Sequence, residues 1–589
     1  MLSYQQKKRF HKNLDYFLGI LAFISLTIII ILLGFYLNSN TLNFINNFTD
    51  FIILLFIIEE ILRFFITSQK IKHLKTRIID HIIAILLLLK LLFHNSFFDL
   101  TASIFLHIND EQVIIINLII VYLILLFIIF IKSLRYNYLL SKIKIHPAAI
   151  ITISFASIII FGSILLMLPK ATQNQSEFKY IDAIFTSTSA VCVTGLTSVD
   201  TATNFTFLGK FIILFLIQIG GLGVMTLTTF FAAFLAGGIS FKVRVLMKDL
   251  LSQESISEVA NLLLKIALFT FIIEGIGAII LYISLGGNLT NINWDFVWIS
   301  VFHSISAFCN AGFSLFSDNL MNPITNGNYL FCSTIMLLII FGGIGFSVLS
   351  NLVSLNPLIK NHKRFRYRLK LHSKIVLTST AFLIVFGCFV ILVIELYSGS
   401  NLNLVDSIFN SLFLSITSRT AGFNIFPTER LLAPTILFII ILMWIGASPG
   451  STGGGIKTST IAIAFMSFLN LIRGKERLEI FNRQISDETI KKAFIVIFSS
   501  LIVLVFGSLI LLIFEPDKSP LDLFFEATSA LGTVGLSRGI TFHLGEGGKI
   551  VIIFLMFIGR IGALTFFMAF FKQKQEPKYT LPYENIMIG

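Results

Sequence analysis

One stretch occurs four times in this chain, and it constrains the fold more than any other feature of the sequence. Each copy begins on a large apolar residue, continues through small and hydroxyl side chains, and ends on a glycine that Leu or Phe follows. The copies align without a gap and recur about every 110 residues. Internal repetition of this kind decides the architecture before any local pattern does. The four copies are residues 185–195 (FTSTSAVCVTG), 302–312 (FHSISAFCNAG), 412–422 (LFLSITSRTAG) and 525–535 (FEATSALGTVG).

Each copy is predicted to be a short helix that enters a membrane, stops and returns as extended chain. The helical part is too short to cross about 30 Å of hydrocarbon, which takes roughly 20 residues. Irregular backbone at that depth is tolerated only where it is buried in protein or lines a wet cavity. Glycine permits positive φ, so successive carbonyls can turn inward, and four such loops around one axis could replace the water around an ion. The alternative is four re-entrant hairpins with a structural role only.

The composition is that of an all-α membrane protein. The chain is 56% hydrophobic and 13% charged, and apolar runs of span length recur along it. The net charge of +13 could indicate a nucleic-acid partner, but most Lys and Arg residues flank apolar runs on one side, so membrane topology explains them better. The four cysteines form no CxxC motif, so we expect neither a disulfide scaffold nor a cysteine metal site.

The first 146 residues are predicted to form a separate four-helix transmembrane unit, with spans at 15–37, 50–68, 78–95 and 113–133. Lys and Arg are absent from the first and third connections, whereas the second connection and the segment after the fourth span are rich in them. The positive-inside rule therefore places the N-terminus and residue 146 in the cytoplasm.

This N-terminal unit contains charges within its spans, namely Glu59, Glu60, Arg63 and Asp80. Charge inside a membrane indicates function by default, and the order resembles a degenerate voltage sensor. A sensing fourth helix needs several cations at three-residue intervals, and only Lys132 and Arg135 have that spacing here. We therefore do not expect voltage gating. The alternative is a charge cluster at the inner end of a helix.

The rest of the chain divides into four repeats, residues 147–240, 241–358, 359–472 and 473–589, and each reads span, pore loop, span in a pseudo-fourfold arrangement. The paired spans are predicted at 148–168 and 206–236, 260–285 and 328–355, 375–397 and 431–470, and 492–515 and 548–571. Asp182, Asp406 and Asp522 precede the short helices, where they can act as N-caps and attract cations to the outer mouth. The basic loops after each repeat place the C-terminus inside and the pore-loop entrances outside.

A second glycine motif lies in the last span of each repeat, as QIGGLG at 218–223, FGGIG at 341–345, IGASPG at 445–450 and IGRIG at 558–562. The third copy continues into STGGGIKT, and Pro449 with five glycines is too much for a continuous helix. We predict that residues 446–457 unwind within the membrane as a gate, with a passive hinge as the alternative. Arg560 could hold this loop by donating to its free carbonyls, or could pair with an acid. The loop is not a nucleotide-binding loop, because Ile456 separates Lys457 from the last glycine.

The motifs VTGL at 193–196, NAGF at 310–313, TAGF at 420–423 and TVGL at 533–536, together with GASPGSTGGGIKT and GRIGALT, resemble the Trk/Ktr/HKT superfamily of potassium transporters, and most of all bacterial KtrB. The resemblance covers about residues 147–589. It implies that potassium is bound by filter carbonyls at Val193, Thr194, Gly195, Asn310, Ala311, Gly312, Thr420, Ala421, Gly422, Thr533, Val534 and Gly535. It implies a gate formed by Gly446, Ser448, Pro449, Gly450, Gly453, Gly454, Gly455, Lys457 and Arg560.

The same resemblance implies a homodimer in the cytoplasmic membrane that works with a cytosolic RCK-type regulatory subunit like KtrA or TrkA. Nucleotide would bind only to that partner, and this chain would need no cofactor besides the transported ion. Glycine in all four loops favours potassium, since plant relatives with Ser in the first loop resemble a sodium-preferring form; a sodium-conducting or sodium-coupled transporter is the alternative. An enzyme would need His, Asp or Glu clustered at bilayer depth, which we do not find in the repeats. A sensor that signals through the N-terminal unit stays open.

Overall fold

The computed structural model describes residues 4–66, 70, 78–93, 114–125, 147–174, 178–223, 258–288, 291–354, 369–397, 403–475, 477–570, 582 and 584. Most of these residues are helical, as the composition predicts. The helices are α1 Tyr4–Gly34, α2 Ser39–Ile66, α3 Ile78–Leu92, α4 Ile114–Leu125, α5 Pro147–Leu166, α6 Tyr180–Val191, α7 Phe207–Leu222, α8 Glu258–Ser284, α9 Trp294–Phe308, α10 Tyr329–Ile344, α11 Phe346–Ser354, α12 Leu371–Tyr397, α13 Leu404–Thr417, α14 Ala433–Trp444, α15 Thr458–Ile472, α16 Asp487–Phe514, α17 Pro520–Gly532, α18 Glu546–Ile561 and α19 Ala563–Phe570.

Several of these helices are long and apolar enough to cross a membrane. Within the described part of the chain, α1, α5, α8, α12 and α16 meet that test, and the count reaches seven if the bent pairs α10–α11 and α18–α19 each form one span. The chain is therefore a multi-pass membrane protein. A total of twelve spans stays a prediction, because residues next to α3, α4 and α7 lie outside the described ranges.

The N-terminal helices α1 to α4 bury a core of their own. Phe56 of α2 and Tyr122 of α4 are fully buried in it, and the Thr49 and Tyr122 hydroxyls lie 2.7 Å apart. α2 begins at Ser39, earlier than the predicted 50, because its polar first turns also pack on the bundle through Leu42 and Thr49. Residues 126–146, with Lys132 and Arg135, lie outside the described ranges.

Among the described residues of this unit two ion pairs stand out, and their acidic members, Asp50 and Glu59, lie before and after Phe56 on α2. Arg63 pairs with Glu59 one turn away on the same helix at 2.7 Å, and both side chains are fully buried. Lys90 of α3 pairs with Asp50 of α2 at 2.5 Å. Of the predicted charges, Glu59 and Arg63 are thus paired. The side chain of Asp80 lies outside what the structure describes, and the Asp50–Lys90 pair was not predicted.

Replacing Asp50 by Asn is expected to lower the free energy of unfolding by up to about 3 kcal/mol, because it leaves Lys90 buried and unpaired. Breaking a buried ion pair costs about 3–5 kcal/mol, and the lower end of that range applies because a third of the Asp50 side chain is exposed. Thermal unfolding in detergent measures the loss. The double variant Asp50→Asn/Lys90→Met should recover most of it, and a double variant as unstable as the single one would contradict the pairing.

The N-terminal unit joins repeat one where α1 ends and α5 ends. The Lys170 backbone N–H donates to the Gly34 carbonyl at 2.9 Å, and the Lys170 ammonium lies 5.3 Å from the centre of the Tyr36 ring. A Cβ built on Gly34 would lie 2.7 Å from the Leu168 side chain, so a larger residue here would require that side chain to move.

The four pore helices α6, α9, α13 and α17 contain 12, 15, 14 and 13 residues, so each is too short to span a bilayer, as predicted. The predicted caps are wrong. Asp182, Asp406 and Asp522 lie in the first turn, and the N-cap residues are Lys179, Asn403 and Ser519. The carboxylates instead stabilise the start of each helix, because their negative charge lies at the positive end of the helix dipole.

A glycine in the first span of repeats one, two and three lets the pore helix pack closely. Gly162, Gly277 and Gly387 each lie against a serine of α6, α9 or α13. Those serines donate to the carbonyl three residues before the glycine, with Ser187 bonding Ile159 at 2.7 Å, Ser304 bonding Glu274 at 2.6 Å and Ser415 bonding Ile384 at 2.9 Å. The depth of the pore helix is therefore set by a hydrogen bond to the span beside it.

The last spans of repeats two, three and four are interrupted, and in repeat one the helix stops at the corresponding glycine. α7, α10 and α18 end on Gly223, Gly345 and Gly562, all at positive φ, and α10–α11 and α18–α19 bend there by 98° and 95°. The spans predicted at 328–355 and 548–571 are therefore each divided into two helices, because glycine at positive φ ends the first helix. In repeat three the helix stops at Trp444 and resumes at Thr458, so residues 445–457 are unwound, as the glycines and Pro449 predict.

Candidate functional site

The four repeated glycines contact one another in a closed ring. A Cβ built on Gly195 would lie 2.5 Å from the Ala311 carbonyl oxygen, and one on Gly312 would lie 2.7 Å from that of Ala421. The same construction on Gly422 meets the Val534 carbonyl, and on Gly535 it meets the Thr194 carbonyl. Each glycine therefore faces the backbone of the next loop, and the fourth loop returns to the first.

The residue two positions before each glycine adopts the left-handed conformation that side chains rarely accept. Val193, Asn310, Thr420 and Thr533 have φ of 56°, 59°, 75° and 49°, and the glycines themselves have φ between 68° and 94°. Three of the four are β-branched, for which positive φ is a true outlier. Each such residue costs of order 1–3 kcal/mol and persists only where the surroundings hold it. This feature recurs in all four loops and was not predicted.

Hydroxyl groups of the pore helices hold these strained strands. The Gly195 N–H donates to Ser189 Oγ at 3.0 Å, and the Gly535 N–H donates to Ser529 Oγ at 3.1 Å. In the other two loops the hydroxyl bonds the carbonyl after the glycine: Ser306 to Phe313 at 2.8 Å and Thr417 to Phe423 at 2.6 Å. The hydroxyl-rich pattern of the repeat is thereby explained.

Repeat three departs from the gapless alignment. The serine that bonds the neighbouring span stands eight residues before the glycine in repeats one and two but seven before it in repeat three, at Ser415. Arg419 occupies the turn that follows α13; it is buried, and its guanidinium donates to the Thr380 carbonyl at 3.5 Å. The third pore helix is therefore seated one residue closer to its glycine than the first two.

The unwound segment 446–457 packs against the backbone of repeat two. The Ser448 N–H donates to the Gly343 carbonyl at 3.0 Å, and the Thr452 N–H donates to the Gly342 carbonyl at 3.2 Å. In the reverse direction, the Phe346 N–H donates to the Gly450 carbonyl at 2.9 Å. The bend at Gly345 brings α11 to this contact.

The same segment folds on itself. The Gly446 N–H donates to the Ile456 carbonyl at 2.9 Å, and the Lys457 ammonium donates to the Gly453 carbonyl at 2.7 Å. The Ser448 hydroxyl lies 3.0 Å from that of Thr458. Lys457 thus closes the loop from within, and Gly450 and Gly455 supply its positive-φ turns at 68° and 65°.

The segment also contacts the strained residues of the ring. The Gly454 N–H donates to Thr533 Oγ1 at 3.0 Å, and a Cβ on Gly453 would collide with the Thr420 hydroxyl. The Thr420 hydroxyl lies 3.0 Å from the Asn310 side-chain amide. Three of the four left-handed side chains therefore connect the ring to the loop, and only Val193 packs elsewhere, against Gly220.

Arg560 connects this loop to repeat one. Its guanidinium donates from Nη1 to the Thr452 carbonyl and from Nη2 to the Gly220 carbonyl. In the part of the chain that the structure describes, Arg560 forms no ion pair with an acid, so the carbonyl-bonding alternative applies. Gly220, Gly342 and Gly559 lie against the carbonyls of Val191, Phe308 and Leu531, which belong to the ends of three pore helices.

The acidic residues at the entrances of the pore helices are paired. Asp182 binds Lys549 of α18 at 2.6 Å, Asp522 binds Arg538 at 2.5 Å, and Asp406 accepts a hydrogen bond from Tyr329. Two of the three predicted cation-attracting carboxylates are therefore neutralised by ion pairs.

Glu526 of α17 is a site residue that was not predicted. It is fully buried, and its carboxylate accepts hydrogen bonds from the Ser537 hydroxyl at 2.5 Å, the Arg538 N–H at 3.0 Å and the Thr541 hydroxyl at 2.9 Å. It braces the chain that follows the fourth glycine, and only its place in the repeated stretch could have pointed to it.

These features define a class: a multi-pass helical membrane protein in which four re-entrant loops meet in one ring and an interrupted helix packs against that ring. The chain belongs to the TrkH family of cation transport proteins, whose family model matches residues 119–581. The resemblance found in the sequence is confirmed. The matched region begins within α4, so α1, α2 and α3 precede it.

Curated relatives and a solved structure agree with this family. The chain is 37% identical to the potassium/sodium uptake protein NtpJ of Enterococcus hirae over 76% of its own length and 98% of that protein. It is 40% identical to the Ktr system potassium uptake protein B of Bacillus subtilis over 75% and 97%. The potassium transporter TrkH from Vibrio parahaemolyticus shares the fold, with a TM-score of 0.58 and 17% identity over 80% of this chain and 94% of that one.

Proposed function

We propose that this protein takes up potassium across the cytoplasmic membrane through the ring of four glycine loops. The observation that carries the proposal is the closure of that ring. Repeats 147–240, 241–358, 359–472 and 473–589 would stand in pseudo-fourfold order around it, and residues 193–195, 310–312, 420–422 and 533–535 would present their carbonyls to the ion. The relatives named for potassium uptake support the choice of ion.

The left-handed residues support the filter assignment independently. A left-handed residue two positions before a left-handed glycine reverses the usual course of an extended strand, which lets successive carbonyls face one side. Strain of this kind is concentrated where a ligand must be held. No ionisable side chain lies among the twelve filter residues, so selectivity would depend on carbonyl geometry.

Sodium conduction is the second candidate function. One relative is named for both potassium and sodium uptake, and one glycine per loop leaves a shorter filter than a full potassium-channel sequence. Uptake assayed with each ion alone and with both together separates the two functions.

The loop 446–457 would be the gate, because it lies against the ring, is held by contacts with repeats two and four, and is joined to repeat one through Arg560. The membrane potential would drive entry at about 2.3 kcal/mol per charge per 100 mV. Both termini would be cytoplasmic, and the pore loops would enter from outside.

A regulatory partner follows from the name of the Bacillus relative, which describes one protein of a system. We expect a homodimer bound to a cytosolic RCK-type subunit that carries the nucleotide. The hairpin of β1 Glu479–Ile480 and β2 Arg483–Gln484 belongs to the basic segment between α15 and α16, and the other basic loops, 242–248 and 360–368, lie outside the described ranges.

Potassium uptake by a bacterial strain without its own potassium transporters tests the function. Expression of this chain with a regulatory subunit should restore growth at limiting potassium, and sodium should not replace potassium. Absence of rescue together with normal membrane expression would point to another ion and overturn the filter assignment.

Replacing Thr533 by Val is expected to raise basal potassium uptake about tenfold. The change keeps the side-chain shape but removes the acceptor for the Gly454 N–H, and a buried donor left unpaired costs about 1–3 kcal/mol. The loop would then leave the ring more often. Thr533→Ser, which keeps the hydroxyl, is the matched control and should behave like the parent in rubidium-uptake assays. Equal rates for Thr533→Val and the parent would show that this contact does not hold the gate.

A further inference from the structure

A second group of polar side chains lies between repeats one and two, beside the filter strand of repeat two but outside the filter and gate residues named above. Glu274 of α8 is only 5% exposed, within a segment, Lys265–Ser284, that can span a membrane. The side-chain amide of Gln218 on α7 donates to its two carboxylate oxygens at 3.2 and 3.3 Å. The Cys309 thiol, at the end of α9, lies 3.8 Å from the same carboxylate.

The surroundings oppose a negative charge at this position. An ionised carboxylate at bilayer depth is costly unless a cation or several hydrogen bonds compensate it. Glu274 has one amide and one thiol, and no Lys, Arg or His of the described ranges forms an ion pair with it. Its carboxylate also lies beside the C-terminal end of α9, where the helix dipole is negative. A proton on Glu274 removes the negative charge, which agrees with the few hydrogen bonds, the missing ion pair and the negative end of the helix dipole.

Among the described residues of the helices packed against Glu274, no other ionisable group competes for this proton. On α9, Asp295 is exposed in the first turn, at the opposite end of the helix from Cys309, and His303 is occupied by the Ile299 carbonyl at 2.8 Å and the Ser314 hydroxyl at 3.1 Å. α10 carries Tyr329 and Cys332 near its start only, α11 carries no ionisable residue, and Lys265 stands nine residues before Glu274 on α8. The nearest titratable group is the Cys309 thiol.

We propose that Glu274, Gln218 and Cys309 form a proton-binding site in the wall of the transporter. One carboxyl oxygen of Glu274 carries the proton and bonds the Gln218 amide, and the proton leaves to water as the pH rises, which leaves the carboxylate. The oxygen and nitrogen of the Gln218 amide exchange roles between the two states, since an amide accepts from a carboxylic acid and donates to a carboxylate.

The site lies next to the Arg560 contact. A Cβ on Gly221 would collide with the Cys309 sulfur, and the preceding residue, Gly220, offers its carbonyl to Arg560 Nη2. Loss of the proton puts a negative charge on the repeat-one side of Arg560. Arg560 is then drawn toward repeat one and away from the Thr452 carbonyl of the loop, so potassium uptake rises with pH. This link to uptake rests on the proposed gate, whereas the proton site does not.

Infrared difference spectroscopy of the purified full-length protein in liposomes tests the proton site without transport. The parent protein should show the C=O band of a protonated carboxylic acid that disappears at alkaline pH, and Glu274→Gln should lack that band. Glu395→Gln removes another glutamate of a first span, whose carboxylate bonds Ser411 at 3.4 Å, and should keep it. A Glu274→Gln spectrum identical to that of the parent overturns the proposal.

Rubidium uptake by the same liposomes across a pH series tests the link to transport. Uptake by the parent and by Glu395→Gln should rise with pH, and Glu274→Gln should show no rise. Gln218→Leu removes the hydrogen bond that favours the carboxylate, so the midpoint of the rise should move to higher pH. A Gln218→Leu midpoint at or below that of the parent overturns the proposal, even if Glu274→Gln fails to fold.

Discussion

Replacing Gly312 by Ser is expected to cost this protein its selectivity for potassium over sodium and to lower potassium uptake about 10- to 100-fold. The new Cβ would lie 2.7 Å from the Ala421 carbonyl oxygen and 3.2 Å from the Gly422 Cα. The Ala421 carbonyl must then move, and a displacement that costs about 1–3 kcal/mol corresponds to that range of rates. Uptake of potassium and of sodium in reconstituted liposomes, measured separately, provides the ratio.

Gly327→Ser is the matched control for this change. Gly327 has φ of 78°, close to the 68° of Gly312, but a Cβ built on it meets nothing within 4 Å. Both variants therefore carry the same backbone strain, and only Gly312→Ser collides with the next strand. Equal transport by the two variants would mean that strain alone acts, and that the ring of glycines does not form the selectivity filter.

The ring of glycines could be predicted from the sequence because glycine is the residue type that adopts positive φ freely. The four stretches align on Gly195, Gly312, Gly422 and Gly535, and in the structure these glycines meet. The left-handed conformation two positions before each glycine could not be predicted, because Val193 and Asn310 share no side-chain property that requires positive φ. Their conformation is imposed by the packing of the neighbouring strands and pore helices.

The predicted N-caps of the pore helices were wrong for a different reason. An acid near the start of a helix is compatible both with the N-cap position and with the first turn, and the sequence alone does not separate them. Asp182 and Asp522 are placed in the first turn because Lys549 and Arg538 bind them there. Those partners are 367 and 16 residues away along the chain, so only the tertiary structure reveals the pairing.

The breaks in the last spans show where composition suffices and where it does not. Five glycines and Pro449 within 446–455 exclude a helix by composition, and the unwound segment was predicted. A pair of glycines three residues apart, as at Gly342 and Gly345, is compatible with a continuous transmembrane helix. The bend of 98° at Gly345 depends on the loop of repeat three, whose Gly450 carbonyl accepts the Phe346 N–H.

Glu274 was missed because a lone glutamate in an apolar run has no partner nearby in sequence. Gln218 precedes it by 56 residues and Cys309 follows it by 35. The rule that intramembrane charge indicates function would have selected it. It was applied to the N-terminal unit, where Glu59 and Arg63 turn out to neutralise each other within one helix.

Replacing Arg560 by Ala is expected to raise basal potassium uptake about tenfold or more and to make uptake largely independent of a regulatory subunit. Arg560 donates to the Thr452 carbonyl of the loop and to the Gly220 carbonyl of repeat one. A hydrogen bond to a charged group contributes about 1.5–3 kcal/mol, so loss of the Thr452 bond moves the gate equilibrium by at least tenfold. Arg560→Lys keeps the charge but lacks the planar guanidinium that bonds two carbonyls, so its basal potassium uptake should lie between those of the parent and Arg560→Ala. Arg430→Ala, which removes an exposed arginine, is the control for net charge.

The combination of Arg560→Ala with deletion of residues 447–455 decides whether Arg560 acts through the loop. The deletion alone should raise uptake, because it removes the segment that packs against Thr420 and Thr533. If Arg560 only holds the loop, adding Arg560→Ala to the deletion should not change the uptake rate further. The deletion already removes Thr452, and the effects of two changes that break the same interaction do not add. A second increase of the same size would mean that Arg560 limits the current directly, as a positive charge beside the ion pathway, and the gate-anchor role would then be wrong.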